Sequence, residues 1–272
     1  MVRVREEDCR RGVSQPRADP HACEKNVSEP APPKPIVLNV GITGHRAGAL
    51  AAPVVQSLEP VVDEVFHQLR EAVLMIQEAE DGFCSVTPAE LRLHTGLATG
   101  ADQIAARSAR SKGYLIRALL PFHPDEYRND FEPGDELDEF ERALEDADEV
   151  IALPGDRSDA VGAYVLVGQS LVEAADVLIA IWDGEEGHGP GGTAHVVELA
   201  LQSSVPVIHI DINRGADDVR MRALVGGDVT APLRASLADP DSYRGLLRGA
   251  LRLTPEAAVD VRPATEPSET SC

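Results

Sequence analysis

Short runs of β-branched and apolar residues recur along this chain, each breaking into a glycine-bearing turn that opens a stretch of helical periodicity. This alternation constrains the fold more than any other feature. IVLNVGIT (36–43) breaks into Gly-His-Arg, LRLHT (91–95) into Gly-Leu-Ala-Thr-Gly-Ala-Asp, and VLIAIW (177–182) into a loop ending Gly-Pro-Gly-Gly-Thr. Unbroken apolar runs of this length suit parallel strands whose two faces are both covered by crossover helices. LIRALLP (115–121), VIALP (150–154) and VPVIHID (205–211) supply further strands. Between them lie helical stretches at 53–79, from the second glycine turn to about Lys112, at 135–146, at 163–175 and from Thr193 onward. Pro53 suits a first helical turn, and Pro60 is placed to end that turn or to kink the helix. Gly113 stands where a helix C-cap is expected. The segment 122–134 reads as a polar loop over the sheet edge. After Asn213 only a short helix near 243–251 is legible. The expectation is α/β: a doubly wound, mostly parallel Rossmann-like sheet in a single domain.

The flanks read differently. Residues 1–34 are charged and proline-rich, and 254–272 share that character, so both are expected to be disordered tails around a domain at 35–253. The chain carries 25 basic against 46 acidic residues, a formal net charge of −21. Such a surface repels a phosphate backbone over most of its area and argues against nucleic acid as a partner. Cys9, Cys23, Cys84 and Cys272 lie far apart, which argues against a metal site or a disulfide framework. No apolar run approaches the roughly 18–20 residues of a membrane span. A cytoplasmic protein with no membrane partner is the expectation.

Parallel strands point their carboxyl ends the same way, so their following turns gather on one edge, where open α/β sheets bind ligands. Three turns therefore come together: Gly41-Ile-Thr-Gly-His-Arg46, Gly96 to Asp102, and Gly189-Pro-Gly-Gly-Thr193. Glycines let the backbone approach an anion, and free N–H groups at a helix start point toward it. Taken singly, each turn also reads as a tight connection; their coincidence on one edge points to a site. Gly41, Thr43, Gly44, His45, Arg46, Gly96, Gly100, Asp102, Gly191, Gly192 and Thr193 are its candidate phosphate-binding residues. Arg46 can clamp a phosphate with two parallel hydrogen bonds.

GITGHR, GLATGAD, the LLPF–EY–NDF run from Leu119 to Phe131, the strand ending IWDG, and GGT opening a helix occur in this order. Together they resemble the SLOG superfamily, named for the Smf/DprA DNA-processing proteins and the Lonely-guy (LOG) phosphoribohydrolases, over about 36–211. The resemblance implies a Rossmann-like domain binding nucleotides or nucleotide-derived signals at these loops. LOG enzymes carry PGGxGTxxE, with a glutamate three residues after the threonine. Here the turn is one residue shorter and that position is Val196. The nearest glutamate, Glu198, projects about 140° away from Thr193 around the helix.

Cleaving a ribosyl C–N bond passes through an oxocarbenium-like state that wants a carboxylate near the ribose. Asp183, just after the apolar strand, and Glu198 are the catalytic candidates. Asp102 is a third carboxylate at the edge, although a first-turn acid also favours the helix dipole. His94 reads as a satisfied core histidine, and Tyr127 as a loop anchor. A phosphate cradle without the LOG glutamate favours a sensor or regulatory module for a nucleotide or nucleotide-derived small molecule. The alternative is a LOG-like nucleoside 5′-monophosphate phosphoribohydrolase with relocated carboxylates; a DNA-processing role comes last on charge. A sensor without a second domain implies a separate effector protein, and the helix at 53–79 offers a surface for a homodimer. No cofactor is expected, and no spacing fits a metal site.

Overall fold

β1 (Val37–Gly44), β2 (Glu90–Thr95), β3 (Leu115–Leu120), β4 (Glu149–Ala152), β5 (Val177–Trp182) and β6 (Val207–Asp211) form the expected parallel sheet. The structure, a computed structural model, describes residues 35–79, 88–185, 189–213 and 240–251 with their side chains; 219–222, 224–225, 228–229 and 233–234 are described as backbone. The expected tails and all four cysteines lie outside the described residues.

The helices are α1 (Ala52–Ala79), α2 (Ala101–Ser111), α3 (Pro124–Tyr127), α4 (Asp135–Glu145), α5 (Ala160–Ala174), α6 (Thr193–Gln202) and α7 (Pro240–Ala250). Strand β5 shows why both sheet faces are covered. Its six residues are all buried; Val177, Ile179 and Ile181 join the core beneath α1, α2 and α7, while Leu178, Ala180 and Trp182 join the core beneath α5 and α6. The period-two alternation of a strand thus feeds two apolar layers from one uninterrupted apolar run. Helix α1 runs through Pro60, which is exposed, so the Gln56 carbonyl it leaves without a helical partner faces solvent.

Two expectations are corrected. The segment 122–134 is not a plain loop: Pro124 starts α3, His123 Nδ1 accepts the Asp125 N–H at 3.3 Å, and a short 3-10 turn follows at Arg128–Asp130. Its aromatic residues turn inward. Tyr127 packs edge-on against Phe131 and Phe140 at 5.1 and 5.4 Å, and Phe131 stacks on Phe140 at 4.2 Å. Beyond Asn213, β7 (Val219–Arg222) pairs antiparallel with β6 and β10 (Leu233–Arg234) with β7, while β8 (Leu224–Val225) and β9 (Asp228–Val229) form a hairpin. Strands of two to four residues are too short to register as a period in sequence.

The sheet order is β10-β7-β6-β5-β1-β2-β3-β4. The chain runs outward from β1 to β4 and then returns to β5 on the other side of β1. Beyond the carboxyl ends of β1 and β5 the connections leave toward opposite faces and open a crevice, the topological switch point.

Candidate functional site at the sheet switch point

The crevice is a cavity of about 370 Å³. Its wall is laid down by the three glycine turns: Thr43, Gly44, His45 and Arg46 from the end of β1, Gly96, Ala98 and Asp102 from the β2–α2 turn, and Gly189 to Ala194 from the start of α6. Pro121, Tyr127 and the α5 residues Tyr164, Val167, Gly168 and Leu171 close the side opposite.

Two glycines make this convergence possible. A Cβ on Gly44 would strike Ala101 Cβ and would lie 2.6 Å from the Ile181 carbonyl oxygen. Its absence lets α2 dock on the end of β1. Gly100 has φ +88°, and a Cβ there would lie 2.6 Å from both Ala47 N and the His45 oxygen. The GHR turn is then stitched in place, with His45 N–H donating to the Ile181 oxygen and the His45 oxygen accepting from Ala101 N–H, each at 3.0 Å. Gly191, at φ +84°, donates its N–H to His195 Nδ1 at 3.0 Å and shapes the turn before α6. Helix starts carry N–H groups with no intrahelical partner, and at the start of α6 Thr193 and Ala194 line the cavity wall.

The charged groups divide into two clusters. Arg46 reaches over the Tyr164 ring, 5.6 Å from its centroid. Partial burial works against its charge, but Tyr127, Tyr164 and the Asp130 carboxylate outweigh that and hold its pKa above the ordinary value. Asp130 accepts from the Tyr164 hydroxyl and from Arg157, whose guanidinium lies 4.1 Å from the Phe122 ring centroid and donates to the Glu126 backbone carbonyl at 2.8 Å. The Leu119–Phe131 run therefore supports Tyr164, which in turn supports Arg46. On the other side His45 Nε2 lies 3.1 Å from Asp183 Oδ2. Burial would raise the Asp183 pKa, but the Glu185 N–H, donated at 3.0 Å, and His45 lower it.

Asp102 is buried in the cavity wall and accepts from Gly96 N–H at 2.9 Å and the Thr95 hydroxyl at 3.1 Å. Burial dominates over these donors and raises its pKa to about 6. The bonds hold a turn in which Leu97 takes φ +53°, a left-handed conformation that a leucine adopts only under constraint.

Of the sequence candidates, Thr43, Gly44, His45, Arg46, Gly96, Asp102, Gly191, Gly192 and Thr193 line this one cavity. Asp183 stands behind His45. Gly41 lies deeper in β1 against Leu171, and Gly100 serves backbone packing. Glu198 is exposed on α6, bonds Gln202 at 3.0 Å and does not line the cavity, while Val196 does. Sequence reasoning missed Tyr164, Asp130 and Arg157. Asp130 sits in the NDF motif, but nothing local marks Tyr164 as its partner across 34 residues. Tyr127, read as a loop anchor, both anchors α3 and lines the cavity.

No helix among the described residues is long and apolar enough to cross a membrane. No family model matches the chain, and no curated protein matches it. Solved structures do. DNA processing protein A from Streptococcus pneumoniae is similar at 17% identity with a TM-score of 0.41, covering 64% of this chain and 50% of that one. The match thus spans half of that protein. DNA processing protein A from Helicobacter pylori, described with a single-stranded DNA binding mode, is similar at 17% identity and TM-score 0.38, covering 63% and 64%. The molybdenum cofactor carrier protein from Chlamydomonas reinhardtii is similar at 17% identity and TM-score 0.35, covering 63% and 75%.

Proposed function

We propose that the chain binds a phosphorylated nucleotide or nucleotide-derived ligand in the switch-point cavity and acts as a sensor or regulatory module. One observation carries this reading: Arg46, His45, Thr193 and the first turn of α6 converge on a single cavity, while the position of the LOG glutamate is filled by Val196. The phosphate meets the α6 N–H groups and the Arg46 guanidinium, charge-assisted partners suited to a dianion. The rest of the ligand lies toward Tyr127, Tyr164 and Trp182. The cavity volume falls at the small end of ligand sites, room for one mononucleotide-sized molecule.

A second reading, hydrolysis of a nucleoside monophosphate, is favoured by one feature. Asp102 is a cavity-wall carboxyl with a pKa of about 6, suited to exchanging a proton near neutral pH. The two readings separate on incubation with nucleoside 5′-monophosphates and nucleotide second messengers, reading thermal shift beside released base. Stabilisation with no base supports the sensor. Base release that is lost in Asp102→Asn or Asp183→Ala supports the hydrolase. Neither stabilisation nor release removes both.

A further inference from the structure

A second cleft, of about 550 Å³, opens between α2 and α4, away from the switch point. We propose that it is a separate site for a small organic anion, one with a carboxylate or phosphate head on a short apolar body. Three arginines border it, Arg107 and Arg110 from α2 and Arg142 from α4, against two carboxylates, Glu139 and Asp146. In a chain with 46 acidic and 25 basic residues, arginines are gathered here within the lining, with Glu59 and Asp148 pairing two of them from beside it. Arg107 bonds Glu139 and Glu59, and Arg110 bonds Asp148 at 2.9 Å. Arg142 gives its Nε–H to the Asp138 carbonyl at 3.0 Å and, among the described residues, has no carboxylate in ion-pair distance. Its remaining guanidinium donors are available to an anion.

The independent observation is Gln103, which also lines the cleft. It is 3% exposed, and among the described residues its amide nitrogen has no hydrogen-bond partner. Buried amides are almost always paired, with protein, ordered water or a ligand. An anion held by the arginines brings oxygen acceptors to that cleft, while Ala106, Ile116 and Ala143 offer its body an apolar surface. Gln103 follows Asp102 in the first turn of α2, so an occupant here bears on the turn that forms one wall of the switch-point cavity.

The test uses the full chain and the ¹⁵N side-chain amide resonance of Gln103, identified by its disappearance in Gln103→Leu. Glutarate and butyl phosphate are titrated in separate arms, with ionic strength held constant by chloride. Saturable movement of that resonance by either probe is expected, the tighter one naming the head group. Binding should weaken at least tenfold in Arg142→Ala, an exposed position whose change leaves the fold intact, and persist in Arg46→Ala. No saturable movement with either probe, or equal binding in Arg142→Ala, overturns the proposal. Loss of binding in Arg46→Ala overturns it too, since the probe would then occupy the switch-point cavity.

Discussion

Two buried groups, His94 and Asp102, respond to acid in opposite senses. His94 sits on β2 with Nε2 3.2 Å from Asn39 Oδ1, and Asn39 donates its side-chain N–H to Asp176 at 3.0 Å. Burial, then Arg117 and Arg92, lower its pKa to about 4. The unfolded chain therefore takes up a proton near the ordinary histidine value while the folded one does not, and stability falls as pH drops from about 6.5 toward 4. Asp102 has its folded pKa raised to about 6. The folded state takes up this proton first, so its contribution is fully present below about 4 and lost as pH rises through 6, worth about 3 kcal/mol across that window. His94→Gln should therefore be more acid-resistant than wild type, and Asp102→Asn should lose the gain on acidification; urea midpoints at pH 4.5, 5.5 and 7 check both. Parallel curves for wild type and Asp102→Asn would mean that the carboxyl titrates normally.

At the scale of elements, the glycine turns are packing devices as well as binding loops. Gly44→Ala must push α2 off the end of β1, because its Cβ meets Ala101 and the Ile181 carbonyl. We expect a loss of about 1–3 kcal/mol or more, measured by chemical denaturation. An unchanged midpoint would show that α2 is not seated as described. These contacts also explain what was legible in the sequence. The six parallel strands announced themselves as short apolar runs, continuous in β5 and β6, which are buried on both faces, and still legible in β4, which is exposed at the sheet edge; the helix at 53–79 did so because Leu58, Val61, Val62, Val65 and Leu69 keep helical spacing. Gathering the turns on one edge follows from parallel topology alone. The β7–β10 extension and α3 were hidden, since short elements are fixed by tertiary partners rather than by period. Tyr164, Asp130 and Arg157 stayed invisible for the same reason: their roles come from contacts between α5, α3 and the turn after β4, which no local pattern encodes.

At the scale of the molecule, a chain of formal charge −21 places Arg46 in the wall of the switch-point cavity, over the Tyr164 ring. The field opposes anion approach, so added salt should not weaken a phosphorylated ligand steeply, in contrast to the strong salt dependence of polynucleotide binding. Affinity measured from 50 to 300 mM salt should change by less than about tenfold; a slope reporting several released counterions would point to a nucleic-acid surface instead. The central claim, that Arg46 holds a phosphate at the switch point, is tested most directly by calorimetric titration. Wild type and Arg46→Ala are each titrated with nucleoside 5′-monophosphates and with the matching nucleosides. The account predicts that the monophosphate binds wild type, that Arg46→Ala weakens it on the order of ten- to a hundredfold without changing the melting temperature, and that the bare nucleoside is insensitive to the substitution. Equal monophosphate affinity in wild type and Arg46→Ala would contradict it.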